Sequence, residues 1–383
     1  MAEADRIEVA GRTLQLRRYP ERGESSLHAV DHGERALLAA LPPGDGPLLL
    51  VGEGHGALGL GTLGRERIWV ADLARTRAAY RHNAAANDLP DDVPFCTPLA
   101  IPSAAPSGRP FAAALLAWPR AIEDGVALLE RLAAAVPAGT PVVIGVRSDA
   151  LSKRGFEAIT VRLDDAETPR AEGRRRRIVG RLRGGAGLQA RRFSGPDGLT
   201  LVSHAGLFTH GRVDQGSARL LAALGPTPAE SAGVMGSVDH VLDLGCGDGV
   251  LAVTAAARMP LAEVVLVDDS ALAVDAACAT FAANADRVGP VRVRGLHANR
   301  CDAVETGTID LVLCNPPFHD GAALSRSTAA RMFEDAARVL RPGGALVVVA
   351  NRHLHYDERL RRHFAHVAVA QVDPRFVVLR ARR

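Results

Sequence analysis

The chain reads as an α/β protein built from two tandem Rossmann-like domains. Three features predict this. Apolar runs of strand length alternate with helical patterns, two of those runs break into alternating glycines, and the second half repeats the first. The opening echo pairs LLLVGEGHGALGL at 48–60 with VLDLGCGDGVLAV at 241–253, an offset of 193 residues. Each reads as a strand, a glycine turn and the start of a helix. Next, IWVADLARTRAAYRHNAAAND at 68–88 echoes VVLVDDSALAVDAACATFAANAD at 264–286, giving a buried strand, an acid at its end and a helix. The third echo, VPAGTPVVIGV at 136–146 against LRPGGALVVVA at 340–350, reads as a helix end, a glycine turn and a strand. Repeats of this length are whole domains rather than solenoid units. Alternating strands and helices imply a mostly parallel sheet covered on both faces, with ligands bound outside the carboxyl ends of the strands. The expected division is a first domain at 1–168, an Arg-rich linker at 169–195 and a second domain at 196–383.

Composition sets the bounds. A chain of 383 residues suits two domains of about 190 residues each, and 47% hydrophobic residues can fill two cores. The net charge of +3 does not by itself call for a polyanionic partner. Lys153 is the only lysine among the basic residues, so arginine is the default cation of this chain and single arginines carry little information. Cys96, Cys246, Cys278, Cys301 and Cys314 stand at unrelated spacings, which suggests neither a disulfide framework nor a zinc site. Without a run of eighteen apolar residues or a signal-peptide charge pattern at the N-terminus, the expectation is a cytoplasmic protein with no membrane and no metal.

The first chemical motif is Asp243-Leu244-Gly245-Cys246-Gly247-Asp248-Gly249. Alternate glycines let the backbone turn sharply and approach a ligand closely. The dinucleotide fingerprint would want glycine at 250, where Val250 stands. Asp268 follows Gly249 by nineteen residues, at the end of the next strand, where a carboxylate can accept both hydroxyls of a ribose. That combination fits the adenosine part of S-adenosylmethionine better than NAD. Another nucleotide, or a purely structural turn, is the competing reading.

The second motif lies in IDLVLCNPPF at 309–318, where an apolar strand runs into Asn315-Pro316-Pro317-Phe318. Each proline restricts the residue before it and fixes its own backbone. A stiff segment of this kind can hold an amine. The side-chain carbonyl of Asn315 and the backbone carbonyl of Pro316 can take its two N–H bonds and aim the nitrogen at a sulfonium methyl. Phe318 can stack on the target ring, and its alternative is a packed core side chain. These residues specify an amine or amide nitrogen. A nucleobase amine, including adenine N6, and a protein glutamine amide all qualify. A non-catalytic RNA-binding or assembly module is the reading from another class, and intact Asn315 and Asp268 weigh against it.

The segment NPPFHDG at 315–321, with GLFTHGRVDQGSARLL at 206–221 and AWPR at 117–120, resembles the bacterial ribosomal RNA guanine-N2 methyltransferases. The resemblance spans nearly the whole chain and is strongest from 206 onward. It implies two class I methyltransferase domains, the N-terminal one degenerate, with S-adenosylmethionine as cofactor and ribosomal RNA, naked or partly assembled, as partner. ANRHLHY at 350–356 and FVVLRA at 376–381 look like the large-subunit branch, and HDG after NPPF looks like the small-subunit branch. Matched positions imply cofactor contacts at Gly245, Gly247, Gly249 and Asp268, with Asn299 near the adenine. The full candidate cofactor set adds Asp243, Cys246, Asp269 and Asn315. The candidate catalytic set is Asn315, Pro316, Pro317 and Phe318.

The first half is expected to be catalytically silent. Ala117-Trp118-Pro119-Arg120 stands in place of Asn315-Pro316-Pro317-Phe318, and Glu53 and His55 occupy the turn between Gly52, Gly54 and Gly56. Between the halves, residues 169–192 carry nine Arg against one Glu. Such a strip can neutralise phosphates without reading sequence, or it can be a solvated linker. His319, His353 and His355 are read as polar contacts or packed side chains rather than metal ligands.

Overall fold

A computed structural model describes residues 5–9, 11–17, 30, 32–147, 151–169, 173, 175–207, 211–225, 238–317 and 322–383. In the first unit the strands are β1 (Asp5–Val9), β2 (Arg12–Leu16), β3 (Leu48–Val51), β4 (Arg67–Val70), β5 (Phe95–Cys96), β6 (Ala113–Ala117), β7 (Pro141–Arg147), β8 (Leu163–Glu167) and β9 (Arg175–Leu182). In the second they are β10 (Arg191–Ser194), β11 (Thr200–Ser203), β12 (His240–Leu244), β13 (Glu263–Asp268), β14 (Arg292–His297), β15 (Ile309–Cys314), β16 (Leu340–Asn351), β17 (His366–Val372) and β18 (Phe376–Arg382). One compact unit ends at Gln189 and the next begins at Ala190.

Each unit contains one seven-stranded sheet, in the orders β5-β4-β3-β6-β7-β9-β8 and β14-β13-β12-β15-β16-β18-β17. Taken strand by strand, the two topologies are the same. Five strands run parallel, and an antiparallel pair closes the far edge. The echoes in the sequence are thus two copies of one fold. In both, the chain reverses its direction of travel across the sheet between the first and fourth strands (β3 and β6, β12 and β15), which is where such sheets open a crevice.

The apolar runs become the central strands because a parallel sheet is covered on both faces. Every residue of β3, β6 and β15 is buried. Successive residues feed opposite layers: Val241 packs with helices Gln215–Leu224 and Val250–Arg258, and Leu242 packs with helix Ala322–Val339. Each fully buried Val, Leu or Ile contributes about 1.5–3 kcal/mol, so these strands anchor everything carried at their ends.

Two expectations are corrected. The Arg-rich segment is not a linker over its length, because Arg175–Leu182 is strand β9, pairing β7 from Pro141↔Arg181 to Arg147↔Arg175. Ile178 and Leu182 are fully buried in the sheet core. Without β9 the outer edge of β7 would be left with unpaired backbone groups, and the arginines between the apolar residues hide that strand from composition. The glycine turn expected before 345 is absorbed into β16, which starts at Leu340. Exposed Arg341–Gly343 sit at a register shift between Ile309↔Leu340 and Leu311↔Ala345.

Among the described residues no helix is long and apolar enough to cross a membrane.

Candidate active site

The site forms at the carboxyl ends of β12, β13, β14 and β15. After Leu244 the chain passes through Gly245, Gly247 and Gly249 with φ of 77°, 54° and 78°, a left-handed backbone that favours glycine. Their surroundings differ. A Cβ on Gly249 would lie 3.0 Å from Cα of Ala277, so that glycine allows helix Val250–Arg258 to pack on helix Ala271–Ala282. A Cβ on Gly247 would meet nothing within 4 Å. Gly247 therefore presents bare backbone to open space, the cradle that a close-lying ligand needs.

The turn is held from several sides. The N–H groups of Gly245 and Cys246 both donate to the Val267 carbonyl, at 2.8 and 3.1 Å. Asp243 accepts from the Ala252 N–H at 3.1 Å, satisfying a donor of the first helical turn. Asp268 accepts from the Gly247 N–H at 3.0 Å through one oxygen and from the Ser270 N–H at 2.9 Å through the other. A carboxylate oxygen has two lone pairs, and half-buried Asp268 thus binds the turn through both of its oxygens. The Ala298 N–H donates to the Asp268 carbonyl at 2.9 Å, and His297 Nε2 donates to the Asp269 carbonyl at 3.0 Å. Those bonds bring Asn299 and Asp269 beside the same strand ends.

Two members of the candidate cofactor set sit deeper. Asp243 is fully buried, and that burial pushes its carboxyl well above the usual carboxylate range, helped by the charges of Asp268 and Asp248. Cys246 is 4% exposed with its side chain in the core, and burial first, then Asp268 and Asp243, push its thiol up. Both side chains shape the turn from beneath, and the Cys246 backbone is tied into it as well, its N–H on the Val267 carbonyl and its carbonyl on the Gly249 N–H at 2.8 Å.

Asn315 follows β15, directly beside the β12 turn, because Leu244 pairs with Cys314. Its Nδ2 donates to Asp214 Oδ2 at 2.9 Å and to Ser217 Oγ at 3.0 Å, and its Oδ1 is buried with no partner among the described residues. Pro316 is buried and Pro317 exposed, and Phe318 and His319 lie outside the described residues. Asp214 also caps helix Gln215–Leu224 by accepting from the Ser217 N–H at 3.1 Å. Asp214, Gly216 and Ser217 were not singled out as site residues from the sequence. The signal for them is a fourth echo, Val-Asp-x-Gly at 30–33 and again at 213–216.

Register fixes the comparison with the first unit. Val51 pairs with Leu116 as Leu244 pairs with Cys314, so Ala117 stands in place of Asn315. The Gly52 N–H donates to Val70 as the Gly245 N–H donates to Val267, so Ala71 stands in place of Asp268. The acid at the end of that strand, Asp72, matches Asp269 instead. Glu53 accepts from the N–H groups of Asp72 and Leu73, at 2.7 and 3.3 Å, and bonds the Thr76 hydroxyl. A Cβ on Gly54 would collide with the Glu34 carboxylate. Where the second unit leaves its glycine turn open, the first has filled the space with its own acids. Among the described residues of the chain, no group of three or more His, Cys, Asp or Glu side chains is arranged to hold a metal ion.

A sheet in this strand order, with a glycine turn after its first strand, an acid after its second and Asn-Pro-Pro after its fourth, defines a class I S-adenosylmethionine-dependent methyltransferase. Residues 198–380 match the Methyltransferase small domain family, and residues 4–183 match the RLMG N-terminal domain family. The chain is 34% identical to the Ribosomal RNA large subunit methyltransferase G of Magnetococcus marinus, over 97% of this chain and 98% of that one. It is 33% identical to the protein of the same name from Streptomyces griseus, over 98% and 99%. A T. thermophilus 16S rRNA N2 methyltransferase (RsmC), solved in complex with AdoMet and guanosine, superposes with a TM-score of 0.74 at 25% identity, over 100% of this chain and 98% of that one. The chain belongs to the ribosomal RNA large subunit methyltransferase G family.

Proposed function

We propose that this chain transfers a methyl group from S-adenosylmethionine to the exocyclic N2 amine of a guanosine in large-subunit ribosomal RNA, in the cytoplasm, on naked RNA or a partly assembled subunit. The observation that carries the reading is the buried Oδ1 of Asn315, without a partner among the described residues, beside the open glycine turn. A buried acceptor without a partner costs about 1–3 kcal/mol, a cost that an incoming N–H removes. The relatives' names support the RNA class and subunit, and the N2 position in the T. thermophilus neighbour's title supports the atom.

The cofactor, when bound, supplies an electrophilic methyl on a positively charged sulfur. Gly245, Gly247 and Gly249 shape the turn that would admit it, Asp268 would take the ribose hydroxyls, and Asp269 and Asn299 would border its adenosine. Asn315 Oδ1 and the Pro316 carbonyl accept the two N–H bonds of guanine N2, whose lone pair is otherwise spread into the ring. Held this way, the nitrogen points at the methyl group, and the two carbonyl dipoles stabilise the positive charge that grows on it as the new N–C bond forms. The surplus proton then leaves to water. The first unit, with Ala71, Ala117 and its acid-filled turn, binds no cofactor and serves the RNA.

The test is to digest large-subunit RNA from cells with and without this protein to nucleosides and identify them by mass spectrometry. N2-methylguanosine should fall in the deficient cells, and the purified protein should restore it. Unchanged N2-methylguanosine, or N6-methyladenosine as the restored product, rejects the reading.

A further inference from the structure

Asn315 can accept from an amine only if its amide is turned the right way, and nothing in Asn-Pro-Pro-Phe decides that. A flipped amide would show the substrate an NH2 group and select a carbonyl, such as O6 on the same base. Three features outside the motif settle the orientation. Asp214 carries a carboxylate that only accepts hydrogen bonds, and it lies 2.9 Å from Asn315 Nδ2. Ser217 Oγ takes the second amide hydrogen at 3.0 Å. Flipping the amide would set Oδ1 against the Asp214 carboxylate, and because the Ser217 hydroxyl can donate as well as accept, Asp214 decides the orientation while Ser217 holds the amide in it. Gly216 makes the approach possible, because a Cβ there would sit 2.8 Å from Asp214 Oδ2 and 3.2 Å from Asn315 Oδ1.

We propose that Asp214 and Ser217 are positioning residues that lock the Asn315 amide with its carbonyl toward the substrate, and that the Asp214 charge polarises that carbonyl as positive charge develops on the substrate nitrogen. This rests on the proposed amine methylation. A negative charge on one end of an amide draws its N–H and pushes electron density to the oxygen, so Oδ1 becomes a stronger acceptor when the nitrogen turns cationic. Hydrogen bonds to ionised groups are roughly twice as strong as neutral ones and polarise the chain beyond them. The first unit offers an internal contrast. It keeps Val-Asp-x-Gly at 30–33 but has Glu34 where the second has Ser217, and Ala117 where the second has Asn315. Where there is no amide to orient, there is no hydroxyl to orient it.

Asp214 is also a helix cap, so the variants must separate the two duties. Asp214→Ser keeps a capping oxygen but withdraws the charge and the reach to Asn315. Asp214→Asn keeps an acceptor without the charge, and Ser217→Ala removes only the hydroxyl. Each should fold and bind S-adenosylmethionine as the parent does. Asp214→Ser should lower kcat by about 10²-fold, Asp214→Asn by about tenfold and Ser217→Ala by about tenfold, on the scale of lost preorganised polar groups. KM for the cofactor should hold throughout. Because Asp214 acts through Asn315, adding Asp214→Ser to Asn315→Ala should cost nothing further. Effects that multiply instead, or a folded Asp214→Ser enzyme with kcat within about twofold of the parent, overturn the proposal. A second readout does not depend on turnover. In spectra of asparagine-labelled protein, the Asn315 side-chain NH2, identified by its loss in Asn315→Ala, should exchange slowly with solvent, and faster in Asp214→Ser and Ser217→Ala. Equal exchange in all three overturns the lock. Failure of the guanine assignment would show differently, as parent enzyme that yields no N2-methylguanosine while the exchange pattern stands.

Discussion

The proposed site gives Asp268 and Asn315 separate roles. Asp268 bonds the turn through Gly247 and Ser270, so it sets the shape of the cradle in which the ribose is proposed to lie. Asp268→Ala should weaken S-adenosylmethionine binding by about 1.5–3 kcal/mol, as for a hydrogen bond to a charged group. Calorimetry showing parental affinity in a folded variant would remove Asp268 from the cofactor site. Asn315 makes no contact with the turn's own hydrogen bonds, so its loss should be felt in chemistry. Asn315→Ala should leave cofactor affinity close to the parent and cut turnover by roughly 10²–10³, the effect of one lost preorganised donor or acceptor. Single-turnover kinetics would expose the alternative: near-normal methyl transfer would end the amine-holding role.

The glycine turn shows how one element serves packing and binding through different atoms. Gly247 and Gly249 share a left-handed backbone, which costs an L-residue about 1–2 kcal/mol, yet only Gly249 is pressed against a neighbouring helix. Gly249→Ala should therefore lower the melting temperature more than Gly247→Ala does. Gly247→Ala should lose cofactor affinity at modest expense in stability, because its methyl enters the cradle. Thermal melts beside isothermal titration test the pair, and the reverse ranking would mean that the ligand lies elsewhere. The same element in the first unit is closed by Glu34 and Glu53. There Glu53 accepts two backbone N–H groups, and the Glu34 carboxylate occupies the space over Gly54.

At the scale of the whole chain, one topology occurs twice with different residues at its strand ends. Each unit has its own strand order and its own buried layers on both sheet faces. A fragment from Ala190 to Arg383 should fold and bind S-adenosylmethionine, and residues 1–189 should bind none. Methylation of large-subunit RNA by the C-terminal fragment should fall well below that of the intact chain if, as proposed, the first unit serves the RNA. Full RNA activity from the fragment, measured as N2-methylguanosine formed, would show the first unit to be dispensable. Guanine N2 lies on the minor-groove edge, so under the proposed activity the base must be unpaired before its amine can reach Asn315, at an extrusion cost of a few kcal/mol.

The sequence by itself determined the duplication, the glycine turn, the strand-end acid of the second unit and Asn-Pro-Pro, because each is a local pattern. An apolar run, a left-handed glycine or a proline pair acts on its own few residues of backbone. What lay beyond it was pairing between distant segments. That Arg175–Leu182 is a strand follows from the open edge of β7, about thirty residues earlier, and composition speaks only of its arginines. That Ala71, not Asp72, replaces Asp268 follows from which N–H meets Val70 and which meets Val267. That the Asn315 amide turns its NH2 to Asp214 and leaves its carbonyl for another partner follows from a contact across 101 residues. Local backbone preference marks the parts of this site, and only the tertiary structure turns its amide, because the hydrogen bonds that orient a side chain come from whichever element the fold sets beside it.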